Sequence, residues 1–263
     1  MPDERIDLPD ATLAATVHPG RGPAVLGLHG LTSSRAAEDA DGFFGWSPVA
    51  AAGRALIRYD ARGHGGSTGA PDPAAYRWSA LADDLLAVAD RVSPDAPVDG
   101  IGASMGTATL LAAAVRRPER LRRLVLVIPP TAWATRAAQR DLYEASARFV
   151  EQRGLAAWSR GAAALPGPPV AEEAGATTQP PAVTEALLPA VLRGAATSDL
   201  PDPTAIATLP HRVLLLPWVG DPGHPLSTAE RLLELLPHAD VRVLRTAADL
   251  RSAGAMAAAF LED

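Results

Sequence analysis

Residues 100–106, Gly-Ile-Gly-Ala-Ser-Met-Gly, carry two overlapping spacings. Gly102-x-Ser104-x-Gly106 is the spacing of a sharp strand-to-helix turn that lifts a serine hydroxyl clear of a sheet, where it can attack an electrophile. Gly100-x-Gly102-x-x-x-Gly106 comes close to a glycine loop that cradles a dinucleotide pyrophosphate. The flanking sequence separates them. A dinucleotide loop follows the first strand of its unit, and an acidic residue stands about 20 residues on, at the tip of the next strand. Here the stretch follows the fifth strand candidate, and the next apolar run, 123–129, ends without an acidic residue. The serine turn needs a strand, a tight bend between small residues and a helix. Val98–Ala103, Ser104 and the helical pattern from Met105 supply all three. Ser104 is therefore read as a nucleophile at a helix N-terminus, where free N–H groups favour developing negative charge.

A serine hydroxyl is a poor nucleophile without a base. All 24 basic residues are arginine and there is no cysteine, so lysine and thiolate chemistry are both excluded. The imidazoles on offer are His18, His29, His64, His211, His224 and His238.

The elements that must position such a site show a regular alternation. Apolar, β-rich runs stand at 5–8, 12–17, 24–30, 55–60, 98–103, 123–129, 212–217 and 241–245. The last six are mostly uninterrupted, as expected when helices cover both faces of a parallel sheet. Amphipathic stretches at 79–92, 105–117, 226–236 and 252–262 lie between or after them, with Ser227 or Thr228 as a cap for the third. The pattern predicts an α/β fold, a doubly wound, mostly parallel eight-stranded sheet. Residues 131–205 break the rhythm with helical patterns and a Pro/Gly/Thr-rich segment, and read as an inserted helical lid between core segments 1–130 and 206–263. The lid carries Trp133, Tyr143, Phe149 and Trp158, read mainly as packing. Phe43, Phe44 and Trp46 either line a pocket entrance or form the buried face of a helix.

A net charge of −6 without a basic face argues against a nucleic-acid partner. The acidic N-terminus lacks the apolar centre of a signal peptide, and no apolar run reaches about 18 residues. The expectation is a soluble cytoplasmic protein without membrane contact, metal or organic cofactor. Oligomeric state is not readable.

Five segments carry a family resemblance: Leu-Gly-Leu-His-Gly-Leu-Thr-Ser-Ser (26–34), Arg-Tyr-Asp-Ala-Arg-Gly-His-Gly-Gly-Ser-Thr (58–68), the serine turn, the arginine-rich run after it, and Gly-Asp-Pro-Gly-His-Pro (220–225). With these the chain resembles the α/β-hydrolase superfamily, nearest to esterase and lactonase-like members of actinobacterial type. The resemblance implies that the N–H groups of Leu31 and Met105 form an oxyanion hole, and that His29 sits beside the substrate or serves as a structural hydrogen-bonder. It implies that Asp60, Arg62 and His64 are structural, and that Asp221, after the seventh strand, orients the base. Asp221 is equally placed to be a plain turn residue before Pro222-Gly223.

In the superfamily the base stands between the eighth strand and the last helix. That loop, 244–254, holds no histidine, and Ala248 falls at the vacancy, next to Asp249. Three readings remain open. Ala248 replaces a histidine; or the base comes from elsewhere, with His224 or Asp249 as candidates; or the scaffold has left hydrolysis for cofactor-free addition, elimination or cyclisation, or for ligand binding. The implied activity is hydrolysis of a carboxylic ester, thioester or lactone of a small apolar acyl compound.

Overall fold

The computed structural model describes residues 4–44, 46–176 and 179–262. Met1–Asp3, Gly45 in the aromatic stretch at 41–48, and Thr177 and Thr178 in the Pro/Gly/Thr-rich segment lie outside the described residues. Eight strands form one sheet: β1 (Glu4–Asp7), β2 (Thr12–His18), β3 (Arg21–Leu28), β4 (Arg54–Tyr59), β5 (Val98–Ala103), β6 (Leu121–Val127), β7 (Arg212–Leu216) and β8 (Ala239–Val241). Their order is β1-β2-β4-β3-β5-β6-β7-β8. The β1–β2 and β2–β4 pairs are antiparallel, and every later pair is parallel.

Alternation along the strands sends side chains to two cores. Leu26, Ile57, Leu124 and Leu215 pack on one face against α3 (Trp78–Val92), α4 (Met105–Arg116) and α10 (Leu226–Leu235). Val25, Leu56, Ile101, Val125 and Leu214 pack on the other, against α2 (Ser47–Ala51), which follows α1 (Arg35–Asp41), and against α11 (Ala247–Glu262). The doubly wound sheet expected from the apolar runs is what forms.

The eighth strand and the last helix depart furthest from the sequence reading. The run at 241–245 looks like a strand, but only Ala239–Val241 pair with β7, and Leu244 adds a single bridge to Trp218. The last helix begins at Ala247, five residues early. Asp249 accepts from the Arg245 and Thr246 amides, and Thr246 Oγ1 accepts from the Asp249 amide, so an acid in the first turn closes the helix start. Neither Ser227 nor Thr228 caps α10: Pro225 precedes its first residue and no side chain caps it.

Between β6 and β7 the chain is helical: α5 (Arg136–Arg153), α6 (Leu155–Ala163), α7 (Pro169–Glu173), α8 (Leu188–Ala196) and α9 (Pro203–Ile206). These helices share an apolar cluster with Tyr76, including Ala147, Val150, Val183, Leu188 and Val191, with Tyr143 and Trp158 packed against it. Ala182 ties it to the sheet's upper loops, donating to Thr32 O and accepting from the Gly65 amide, both at 2.7 Å. Of the aromatics at 43–46, Trp46 is core: it is 1% exposed, stacked against Phe44.

The loop after β4 is held by buried charge. Asp60 accepts from the Arg35 amide and guanidinium and from the Gly66 amide. Arg62 bridges Asp84 and Asp10. His64 is 1% exposed, and its Nδ1–H donates to Arg62 O. Burial pushes the His64 imidazole down to about 3, with the neighbouring His29 adding to the effect. The unfolded imidazole titrates near ~6.5. Between those values the unfolded chain binds a proton that the native chain refuses, so stability is lost as pH falls through this window, by about 1.4 kcal/mol per pH unit. His64→Gln is expected to remove about one proton from the acid-side slope of urea-melt stability against pH. Comparing the two proteins cancels Glu38, whose carboxyl is raised by burial to about 8 and acts with the opposite sign.

Candidate active site

β3 and β5 are neighbours, with Leu28 opposite Gly102, yet the chain leaves them toward opposite edges of the sheet. A crevice opens at such a reversal, beyond the carboxyl ends of the strands. The turns after β3 and β5 meet there.

Ser104 is the residue between β5 and α4, at φ 52° and ψ −108°. That region costs a non-glycine residue about 1–3 kcal/mol and persists only where the surroundings impose it. They do. A methyl group on Gly102 would lie 2.4 Å from the Gly106 carbonyl, and one on Gly106 would lie 2.5 Å from Leu28 O. The Thr107 hydroxyl donates to Gly102 O at 2.7 Å, and the Ser104 amide donates to Val127 O at 3.0 Å. Strand, bend and helix are thus packed backbone against backbone. Gly102→Ala is expected to destabilise the fold by about 3 kcal/mol or more, since backbone atoms cannot give way as a side chain can. The midpoint of thermal unfolding by circular dichroism checks this.

The Ser104 hydroxyl stands 2.7 Å from Nε2 of His224, and Nδ1 of His224 stands 2.7 Å from Oδ2 of Asp221. Asp221 lies beyond β7, in the stretch Asp221-Pro222-Gly223-His224. Its backbone folds back so that the His224 amide donates to Asp221 O at 3.1 Å, and the Thr131 amide pins Gly223 O at 3.0 Å. Two further donors converge on the carboxylate: the Gly223 amide on Oδ1 at 2.8 Å and the Trp218 indole on Oδ2 at 3.1 Å. Burial alone would raise the Asp221 carboxyl. The His224 contact, with help from Gly223 and Trp218, outweighs it and holds the group below the usual carboxylate range. Asp221 is therefore ionised at neutral pH. An ionised carboxylate accepts a proton-bearing Nδ1, leaving Nε2 free to accept from the serine.

Of the readings left open for the base, this geometry favours His224. Ala248 is exposed on the first turn of α11. The imidazole within reach of Ser104 comes instead from the loop that carries Asp221, because the Pro-Gly turn brings residues 221 and 224 together. Asp249 is spent on capping α11. Of the two roles open for His29, burial favours the structural one: it is 2% exposed, its Nε2 accepts from the Ala61 amide at 2.9 Å, and its Nδ1–H donates to Gly30 O at 2.8 Å. Burial lowers its pKa, so it stays neutral. It fixes the turn after β3, where a methyl on Gly30 would touch Ser104 Cβ at 3.5 Å. Among the described residues, neither the Leu31 nor the Met105 N–H donates to another backbone group. Sequence reasoning did not reach Trp218 or Thr107; no spacing rule marks a tryptophan behind an acid or a threonine inside the helix start.

A family model described as the alpha/beta hydrolase fold matches residues 23–150. An esterase structure from Thermogutta terrifontis superposes with a TM-score of 0.75 over 100% of this chain and 97% of its own, at 20% identity. This chain is an α/β-hydrolase-fold protein. Curated relatives match it only in part. EphD of Mycobacterium tuberculosis, named as an oxidoreductase, is 34% identical over 104 residues, which is 39% of this chain and 17% of EphD. The mouse sn-1-specific diacylglycerol lipase ABHD11 is 32% identical over 105 residues, covering 40% of this α/β-hydrolase-fold chain and 32% of ABHD11. No described helix is long and apolar enough to cross a membrane.

Proposed function

We propose that this protein is a serine hydrolase that cleaves a carboxylic ester, thioester or lactone of a small apolar acyl compound. One observation carries the reading: a continuous hydrogen-bonded line runs from Ser104 Oγ through His224 to Asp221, with both links at 2.7 Å. Ser104 attacks the acyl carbon while His224 Nε2 takes its proton. Asp221 steadies the imidazolium that forms, and His224 returns the proton to the leaving oxygen or sulfur. The amides of Leu31 and Met105 hold the oxyanion of the tetrahedral intermediate. Water then attacks the acyl-enzyme by the same proton path in reverse. The helical insertion at 131–205 acts as the lid over this site, and its face toward the β3 turn selects the acyl compound. The non-hydrolytic alternative drew on an empty position at 248; with an imidazole beside Ser104 it loses that support.

The test is covalent. A fluorophosphonate probe is expected to add to Ser104 alone, identified by peptide mass mapping, and to leave Ser104→Ala unlabelled. An unlabelled wild-type protein would sink the proposal.

A further inference from the structure

We infer that Trp218 is a positioning residue for the acid–base pair: its indole N–H, held rigidly behind the site, fixes the carboxylate of Asp221 so that Oδ2 faces His224. The inference rests on the proposed hydrolase reading for its kinetic consequence, and on geometry for its structural one.

Trp218 stands two residues beyond the end of β7, yet its backbone is not loose. It bridges Leu244 in parallel register, and the Leu244 amide donates to Pro217 O at 2.8 Å. The ring is 8% exposed and belongs to the core on the α11 side of the sheet. Phe44 packs against it at 6.3 Å between centroids, and His224 meets it edge-on at 5.8 Å and 78°. One ring therefore touches both members of the pair, the acid through Nε1–H and the imidazole through van der Waals contact.

A carboxylate on a short side chain can rotate about its last bond, and rotation would carry Oδ2 away from Nδ1. The Gly223 amide restrains Oδ1 and the Trp218 indole restrains Oδ2, so the plane is set from both ends. The cost is electrostatic, because a donor on Oδ2 draws off some of the charge that would stabilise the imidazolium. Orientation outweighs that loss. A misplacement of about 1 Å in a catalytic group costs on the order of a hundredfold, whereas one neutral hydrogen bond changes the carboxylate's charge only slightly.

Trp218→Phe keeps an aromatic ring in the core and removes the N–H. The expected result is a kcat lower by about tenfold to a hundredfold, with KM within about twofold. In an Asp221→Ala background the same substitution is expected to change kcat by less than about twofold, because no carboxylate or amide is left for the indole N–H to orient. An undiminished kcat in Trp218→Phe, or an equal loss in both backgrounds, would overturn the inference and leave Trp218 as packing. A second readout does not depend on turnover. The indole N–H resonance of Trp218 in a 1H–15N spectrum, assigned by its disappearance in Trp218→Phe, is expected to move when Asp221 becomes Asn. A resonance indifferent to that change also overturns the inference. Failure of the wild-type protein to react with the fluorophosphonate would count against the hydrolase reading instead, so the two failures are distinguishable.

Discussion

Replacing Ser104 or His224 by alanine is expected to lower kcat/KM toward an activated short-chain ester by about 10⁴ to 10⁶, and replacing both is expected to lower it no further. In the proposed mechanism the two side chains act as one unit. Without His224 the Ser104 hydroxyl keeps its proton, and without Ser104 the imidazole has nothing to activate. What survives in either variant comes from the oxyanion amides and from binding, on the order of 10³ to 10⁴ over water. Steady-state hydrolysis of p-nitrophenyl esters measures both. A companion variant makes the location of the base decisive. Ala248→His would put an imidazole where the superfamily usually carries one, but on this chain the position is exposed on a helix start already closed by Thr246 and Asp249. It is expected to change wild-type turnover by less than about twofold, and to leave the His224→Ala variant as inactive as before. Rescue of His224→Ala by His at 248 would show that the base has been placed in the wrong loop.

The serine turn was legible because every one of its requirements is local. Two glycines flank Ser104 at two residues on either side, and the structure finds a backbone atom within 2.5 Å of where either would carry a methyl. The sheet was legible for a similar reason: strands buried on both faces read as unbroken apolar runs. The acid–base pair was only half legible. Asp221 could be located by its place after β7, but its service to an imidazole depends on the path of the next three residues. Asp-Pro-Gly-His is a turn sequence, and a turn brings its first and fourth residues together. That spacing is the available signal for His224, and it makes His224 a candidate base without separating it from Asp249 or from a plain turn residue. The eighth strand was overread because Val241-Arg-Val-Leu-Arg has strand composition. Only three residues find a neighbour at the sheet edge, and the bridge at Leu244 serves Trp218 rather than extending the strand. Burial of His29 and His64 was beyond reach of spacing, since it comes from contacts between the loops after β3 and β4, where the rings lie 5.2 Å apart.

Replacing Asp221 by asparagine is expected to lower kcat by about 10³, and the donors around the carboxylate set that figure. Oδ2 receives two N–H groups, from His224 and Trp218, while Oδ1 receives one, from Gly223. An asparagine has one acceptor oxygen to place. Putting it at the Oδ2 position satisfies two donors and opposes its NH₂ to the Gly223 amide; the reverse satisfies one and opposes two. The first orientation is the cheaper, and in it His224 keeps its proton on Nδ1 and its free Nε2 toward Ser104. The loss is then chiefly electrostatic. A unit charge about 4 Å from the imidazolium at an effective dielectric near 20 contributes about 4 kcal/mol, which is about 10³ in rate. The flipped amide would do more harm, because its NH₂ would donate to Nδ1 and force the proton onto Nε2, where it blocks the transfer from serine. A loss beyond about 10⁴ would therefore report the flipped state and contradict the donor count. The single-turnover rate of acylation, compared between Asp221→Asn and the wild type, separates the two outcomes, since the tautomer acts before the acyl-enzyme forms.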